Sequence, residues 1–197
     1  MDLAARFTTH EADPSVLVTE RLFLAPITLP MVEAVMLGDR RRAEELARAR
    51  LPDAWPGQQL IHQGFGASLE SVRDDPDRRL WGDRLMIARD GEPRVVGSVI
   101  FHGRPDDGGI AEVGYGVEES SRGFGFATEA TGACVAWALA QPGVRGVIAT
   151  TFAWHRASLR VIEKIGMCLA CSREHPTLGE LLVFCITTDG APVTLDL

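Results

Sequence analysis

An α+β domain layered about one mixed sheet is the fold class this sequence predicts, and three observations point to it. Apolar segments of period two and period 3.6 follow one another as strand, helices, three strands, helix, strand, helix and two strands. The 197 residues are 46% hydrophobic and 24% charged, which suits one domain with a well-buried core. No internal repeat or low-complexity tract breaks the order.

Residues 1–18 read as a loose lead-in, residues 19–188 as the domain and residues 189–197 as a tail. Arg21 to Pro26 alternates like a strand that stops at proline. Pro30 to Ala49 reads as one helix, with Met31, Val32, Val35 and Met36 apolar and Arg40-Arg41-Arg42 and Glu44-Glu45 on a solvated face. Leu51 to Asp83 carries Trp55-Pro56-Gly57 and Asp74-Asp75-Pro76-Asp77, so it is expected to be loop with one helical piece around Ala67 to Arg73. Arg84 to Arg89, Arg94 to His102 and Ile110 to Val117 form a meander, joined by turns at Asp90-Gly91-Glu92-Pro93 and at Pro105 to Gly109. Ala127, Ala130, Cys134, Trp137 and Ala138 recur at helical spacing up to Gln141-Pro142-Gly143. A strand over Val144 to Phe152, a helix over Ala157 to Ile165 stopped by Gly166, and strands over Cys168 to Ser172 and Leu181 to Thr187 complete the chain.

The formal charge of −7, from 20 basic and 27 acidic side chains, provides no basic field for nucleic acid or anionic lipid. Met1 to Thr19 has no apolar core of a signal peptide, and the longest uncharged run, Ala130 to Val144, is too short to span a bilayer; a cytoplasmic location is expected. The four cysteines, Cys134, Cys168, Cys171 and Cys185, give no disulfide framework and are read as reduced thiols. Cys168-x-x-Cys171 follows a helix stop in an apolar segment and lacks further ligands, which favours buried structural cysteines over a zinc or redox pair. His10, His62, His102 and His175 show no metal spacing, so no metal is expected.

The chemistry concentrates at Arg122-Gly123-Phe124-Gly125-Phe126-Ala127, between a strand and a helix. Glycines there let the backbone curl and aim several N–H groups at one spot, and the helix dipole adds positive potential; this is the geometry of a phosphate site, to which Arg122 can add its charge. A dinucleotide fingerprint fails, because no third small residue stands at its offset and the next strand ends in Thr150-Thr151 rather than in an acid. An RNA-recognition strand, which also opens Arg-Gly-Phe-Gly-Phe, fails because Ala127-Thr128-Glu129-Ala130 begins a helix.

Four ordered segments resemble a known family. Ser121 to Ala130 is similar to motif A (R/Q-x-x-G-x-G/A) of the GNAT superfamily of acyl-CoA N-acyltransferases, and His155 to Met167 resembles its N-x-x-S-x-x-v-x-e-k-x-G-F segment. Thr19 to Pro26 resembles the T-x-R-L-x-L-R-P opening of the branch that includes the ribosomal-protein-alanine acetyltransferases, and Ala111 to Tyr115 its a-E-i-G-Y strand. Ala25 stands where that branch has Arg, His155 replaces Asn and Met167 replaces Phe. The resemblance spans about residues 19 to 188. It implies a mixed, mostly antiparallel sheet of six to seven strands flanked by about four helices, and an N-acetyltransferase that moves an acetyl or small acyl group from acyl-CoA to a primary amine in a ternary complex, without metal.

Under that resemblance acetyl-CoA is the co-substrate, with its diphosphate on Arg122, Gly123, Phe124, Gly125, Phe126 and Ala127, and its pantetheine arm along the backbone of Tyr115, Gly116 and Val117 and beside His155. Alternation puts Glu112 on one face of its strand with Gly114 and Gly116, where a ligand has room; Glu112 is read as the base that takes the amine proton, or as a salt-bridged structural carboxylate. Many superfamily members protonate the thiolate with a helix tyrosine, but that position is Ile162, and the one tyrosine in the chain is Tyr115. The ribosomal-protein branch has serine at the position of Ser158, near the thioester sulfur, so the resemblance implies Ser158 as the acid, with helix capping as its competing role. Trp55, Trp81 and Trp154 are read as acceptor-pocket lining or core. A small-molecule amine or a protein N-terminus is the expected acceptor, nucleic acid and membrane are not expected partners, and a homodimer is left open. A catalytically impaired CoA-binding sensor or scaffold is the alternative, motivated by the missing helix tyrosine and by His155.

Overall fold

The structure, a computed structural model, describes residues 13–53 and 69–190. Among the described residues eight strands form one sheet: β1 (Leu17–Val18), β2 (Leu22–Pro26), β3 (Arg84–Ala88), β4 (Arg94–Phe101), β5 (Ile110–Val117), β6 (Gly146–Phe152), β7 (Cys168–His175) and β8 (Gly179–Thr187). Among the described residues six α-helices accompany them: α1 (Leu29–Met36), α2 (Arg40–Ala47), α3 (Leu69–Asp74), α4 (Pro76–Arg79), α5 (Phe126–Leu139) and α6 (Arg156–Lys164).

This is the α+β sheet architecture expected, with slightly more elements. The additional strand is Leu17–Val18, which pairs with Leu24 and Phe23. One additional helix arises because the stretch from Pro30 to Ala49 is not continuous. Gly38, at φ +74°, breaks it, and Asp39 restarts it by accepting a hydrogen bond from the Arg42 N–H. Another is α4, which starts at Pro76 behind an Asp75 cap. Trp55 and the rest of residues 54–68, within the loop expected from Leu51 to Asp83, lie outside the described residues.

The strands are ordered β1-β2-β3-β4-β5-β6-β8-β7. Every neighbouring pair is antiparallel except β5 and β6, which run parallel with α5 in the connection between them. Pairing in that parallel couple is confined to Ile110–Gly146, Ala111–Val147 and Glu112–Ile148. Both strands continue beyond these pairs, to Val117 and Phe152, without pairing to each other. The sheet therefore forks at Glu112.

Two cores lie on opposite faces. Met86, Val99, Phe101, Val113, Val147 and Ala149 pack with Phe126, Ala130, Cys134, Val135 and Ala138 of α5, and with Ile162 of α6. Phe23, Ala25, Leu85, Ile87 and Val95 pack with α1 and α2 on the other face. The second core covers only the β2–β4 side. Over the β5–β6 side that face stays half open, with Glu112, Gly114, Ile148 and Thr150 partly exposed. Among the described residues no helix is long and apolar enough to cross a membrane.

The cysteines depart from expectation. Cys134 is buried, where desolvation pushes its thiol up to about 12, but Cys168 is exposed and Cys171 is intermediate. Their strand β7 is the sheet edge, so the apolar segment that held them is not a core segment. All four thiols are free.

Candidate active site

The alternation of β5 divides the site into two sides. Val113 is buried against α5 with Tyr115 and Val117 packed alongside, so Glu112, Gly114 and Gly116 face the opposite, half-open side. Register supports this division: Val99 pairs with Tyr115 and Phe101 with Val113 on the helix side, while Ser98 pairs with Gly116 and Ile100 with Gly114 on the open side.

On the open side Glu112 is not alone. Its Oε2 lies 3.3 Å from His102 Nδ1, and His102, just past the end of β4, donates its backbone N–H to the Glu112 carbonyl. Hydrogen bonding to His102 lowers the Glu112 carboxyl below its ordinary value against the opposing effect of burial; the charge of His102, the Thr150 hydroxyl and Arg173 also lower it. The same hydrogen bond raises His102 against desolvation, with the charges of Glu112 and Asp83 raising it further and Arg79 opposing them. His102 is the more open of the two, its side chain 51% exposed against 33% for Glu112. Its Nε2 would lie 3.5 Å from a Cβ built on Gly114, so the glycine leaves space directly beside the imidazole. Glu112 is thus a carboxylate paired with a histidine on the open face.

On the helix side, across the fork, the Tyr115 hydroxyl reaches the first turn of α6. It lies 2.9 Å from Ser158 Oγ, and donates to the Ser158 carbonyl at 3.1 Å. Desolvation raises the Tyr115 pKa, while the Ser158 hydrogen bond lowers it by less, so the phenol keeps its proton. The cap position of α6 is occupied by His155, with Ser158 one turn inside, buried, its hydroxyl directed to Tyr115. His155 is exposed, and its Nδ1 is 3.5 Å from Thr151 Oγ1.

The glycine turn sits at the end of β5. Gly123 and Gly125 both have φ +84°, which explains why this stretch needs residues without a Cβ, and Gly125 is the N-cap of α5. Arg122, Gly123, Phe124 and Gly125 are exposed, while Phe126 turns into the core. Arg122 donates from Nε to the Val117 carbonyl at 3.1 Å, fastening the turn back onto β5. Arg21 and Glu129, which sequence reasoning did not single out, brace the turn from the β2 side: Arg21 NH1 donates to the Phe124 carbonyl at 2.7 Å, and Arg21 NH2 lies 2.6 Å from Glu129 Oε2.

Of the tryptophans, Trp81 packs on Phe101 and Trp137, each with ring centres 5.1 Å apart, and belongs to the core side. Trp154, 63% exposed, stacks on Phe152 at 5.5 Å near the mouth of the fork. Among the described residues no three His, Cys, Asp or Glu side chains gather as a metal site.

Comparison with known proteins places this arrangement. A family model described as an acetyltransferase (GNAT) domain matches residues 21–168. YjdG of Bacillus subtilis (strain 168), an uncharacterized N-acetyltransferase, is 26% identical over 153 residues, covering 78% of this chain and 89% of the relative. A GNAT-family acetyltransferase from Bacillus anthracis superposes with TM-score 0.58 at 19% identity, covering 88% of this chain and 99% of its own. RimL, a ribosomal L7/L12 α-N-protein acetyltransferase solved with coenzyme A, gives 0.57 at 16% identity, covering 89% and 99%. The family match takes in β2 through the start of β7 and so contains the fork, the glycine turn and Ser158. The chain belongs to the GNAT acetyltransferase family and is an acyl-CoA-dependent acetyltransferase.

Proposed function

We propose that this enzyme transfers an acetyl group from acetyl-CoA to a primary amine by direct attack, with the thioester lying in the β5–β6 fork. The observation that carries the reading is the fork itself: it opens at Glu112 and separates a Glu112–His102 pair on one face from a Tyr115–Ser158 pair on the other. A base and an acid are needed on opposite sides of an acyl carbon that gains an amine and loses a thiolate.

In this reading the diphosphate of coenzyme A sits at the turn from Arg122 to Ala127, on N–H groups at the head of α5. The pantetheine arm runs along Tyr115, Gly116 and Val117, whose backbone edge toward β6 has no strand pairing, and past His155. The acceptor approaches over Gly114 and Gly116 on the open face. Glu112 remains ionised and holds His102, and the pair removes a proton from the ammonium, directly or through water. The neutral nitrogen attacks the thioester carbonyl, and a backbone N–H of β5 faces the oxyanion. As the C–S bond breaks, Ser158 gives its proton to the thiolate and regains one, through water, from the proton that the former amine nitrogen loses on becoming an amide. Tyr115 keeps the Ser158 hydroxyl turned into the fork.

RimL is described as an α-N-protein acetyltransferase, and MccE, a self-immunity acetyltransferase solved with acetyl-CoA and AMP, has a TM-score of 0.56; both a protein N-terminus and a small amine are therefore acceptor classes to test. The test is free-CoA release from acetyl-CoA with a panel of peptides, polyamines and amino acids, with mass spectrometry of the products. Acylation of a panel amine, slowed by about 10² or more in Glu112→Gln, is the expected result. Binding of acetyl-CoA with no amine acylated would overturn the reading in favour of a CoA-binding sensor.

A further inference from the structure

The segment Thr19-x-Arg21 meets the head of α5 through one carboxylate. Glu129 lies in the first turn of that helix, where a negative charge stabilises the free helix but competes with any anion for its positive end. A helix that is to hold a diphosphate carries the wrong charge there. The structure shows what offsets it. Glu129 Oε1 accepts from the Thr19 hydroxyl at 2.6 Å and from the Arg21 N–H at 2.8 Å, and Oε2 accepts from Arg21 Nε at 2.7 Å. Burial pushes this carboxyl up, but the bonds from Thr19 and Arg21, with the charge of Arg21, carry it below its ordinary value, so it stays ionised and matched.

Arg21 also acts on the turn. Its NH1 takes the carbonyl of Phe124, the residue between the two positive-φ glycines, and its guanidinium lies 5.1 Å from the centre of the Phe126 ring. The carbonyl oxygen of the turn is thereby held on the β2 side. Fastening β2 to α5 would be served as well by apolar packing; a fork of charge on a carboxylate matters where an anion arrives.

We infer that Arg21 is a positioning residue of the coenzyme A diphosphate site, cancelling the charge of Glu129 and turning the Phe124 carbonyl aside. This rests on the reading that coenzyme A binds at the turn. Arg21 acts through Glu129 and the backbone, so its effect falls on the diphosphate and not on the reacting centre.

The experiment is titration of the full chain, its Arg21→Gln and Glu129→Gln variants and the double variant, with coenzyme A and separately with pantetheine, which has no diphosphate. Melting temperatures are recorded alongside. Expected are a Kd for coenzyme A raised about tenfold or more in Arg21→Gln, a clear but partial return toward wild type in the double variant, which regains the charge balance but not the hold on the Phe124 carbonyl, and equal or tighter binding in Glu129→Gln, whose Arg21 is left unmatched. Pantetheine affinity should not change across the set. Coenzyme A binding unaltered in Arg21→Gln, a double variant as weak as Arg21→Gln, or pantetheine weakened in parallel would overturn the inference. Should Arg21→Gln fail to fold, Glu129→Gln decides alone, since weaker coenzyme A binding there contradicts charge compensation. A wild-type chain that binds no coenzyme A would instead remove the underlying reading.

Discussion

His102 and Glu112 share one hydrogen bond and are shifted in opposite directions by it. The imidazole is the better proton acceptor, and its raised pKa sets the expected pH dependence. In the proposed mechanism His102 must be neutral to take the proton, so kcat/KM should rise with pH through a limb above the ordinary histidine value of about 6.5. In Glu112→Gln the imidazolium loses its partner; the limb should move to lower pH while kcat falls by about 10² or more. His102→Asn should remove the limb. Profiles measured with two acceptors of different amine pKa separate the enzyme's limb from the substrate's, and a limb unmoved in both variants would refute the pairing. Stability follows the same sign: a group raised on folding favours the native state below its unfolded pKa and loses that contribution as pH rises through the folded value. On the other side of the fork, the only tyrosine makes the phenolate absorbance a report on Tyr115 alone. Its titration should lie above the ordinary value near 10, and should rise further in Ser158→Ala, because the Ser158 hydrogen bond is what lowers it. Ser158→Ala should also lose about 10-fold to 10²-fold in kcat with little change in melting temperature, since His155 and not Ser158 occupies the cap. At this scale the sequence made Glu112 and Ser158 legible through strand alternation and motif position. His102 was within reach, because the meander turn from Gly103 to Gly109 sets it against Glu112. Arg21 and Glu129, 108 residues apart, carried no local signal.

Elements decide how closely these residues approach. Gly97 of β4 lies against Gly116: a Cβ at Gly97 would stand 2.2 Å from the Gly116 carbonyl oxygen, in the stretch proposed for the pantetheine arm. Gly97→Ala should therefore push β4 from β5, cost about 1–3 kcal/mol in a denaturant melt, and weaken coenzyme A binding beyond what lost stability explains. A full-affinity, full-stability variant would show that the approach is not required. Strands and the two long site helices were readable because their apolar periods are clean and their ends are marked by glycine or proline. The helix from Pro30 to Ala49 was misread because Gly38 interrupts it without ending the apolar pattern that packs Met31, Val32, Ala43 and Ala47 into one core. The exposure of Cys168 was misread for the converse reason: apolar content does not distinguish an edge strand from a central one, and only strand order places β7 outermost.

For the whole molecule, Asp83 links stability to pH. It is buried, 3% exposed, accepts the Phe101 N–H at 2.6 Å, and is raised by desolvation from 3.8 to about 7, with the Phe101 bond, His102 and Arg79 opposing. A raised carboxyl contributes stability below its unfolded pKa that is lost as pH climbs through the folded value. Asp83→Asn keeps an oxygen for the Phe101 N–H and cannot ionise. Its stability advantage over wild type should grow from pH 4 to pH 8, reaching on the order of a few kcal/mol, as followed by urea melts across that range. No growth with pH would mean that Asp83 stays hydrated in solution. Fold class was legible from the order of elements, whereas the fork was not. It depends on where a parallel pair stops, and nothing local in Val113 or Ala149 marks that end. Among the described residues three residue pairs make the only strand-to-strand join between β1–β5 and β6–β8, so the sheet is two antiparallel leaves sharing a short spine. A pantetheine arm laid in the opening would lengthen that spine. On release the edge of β5 from Val113 to Val117 would again face β6 without a strand between them.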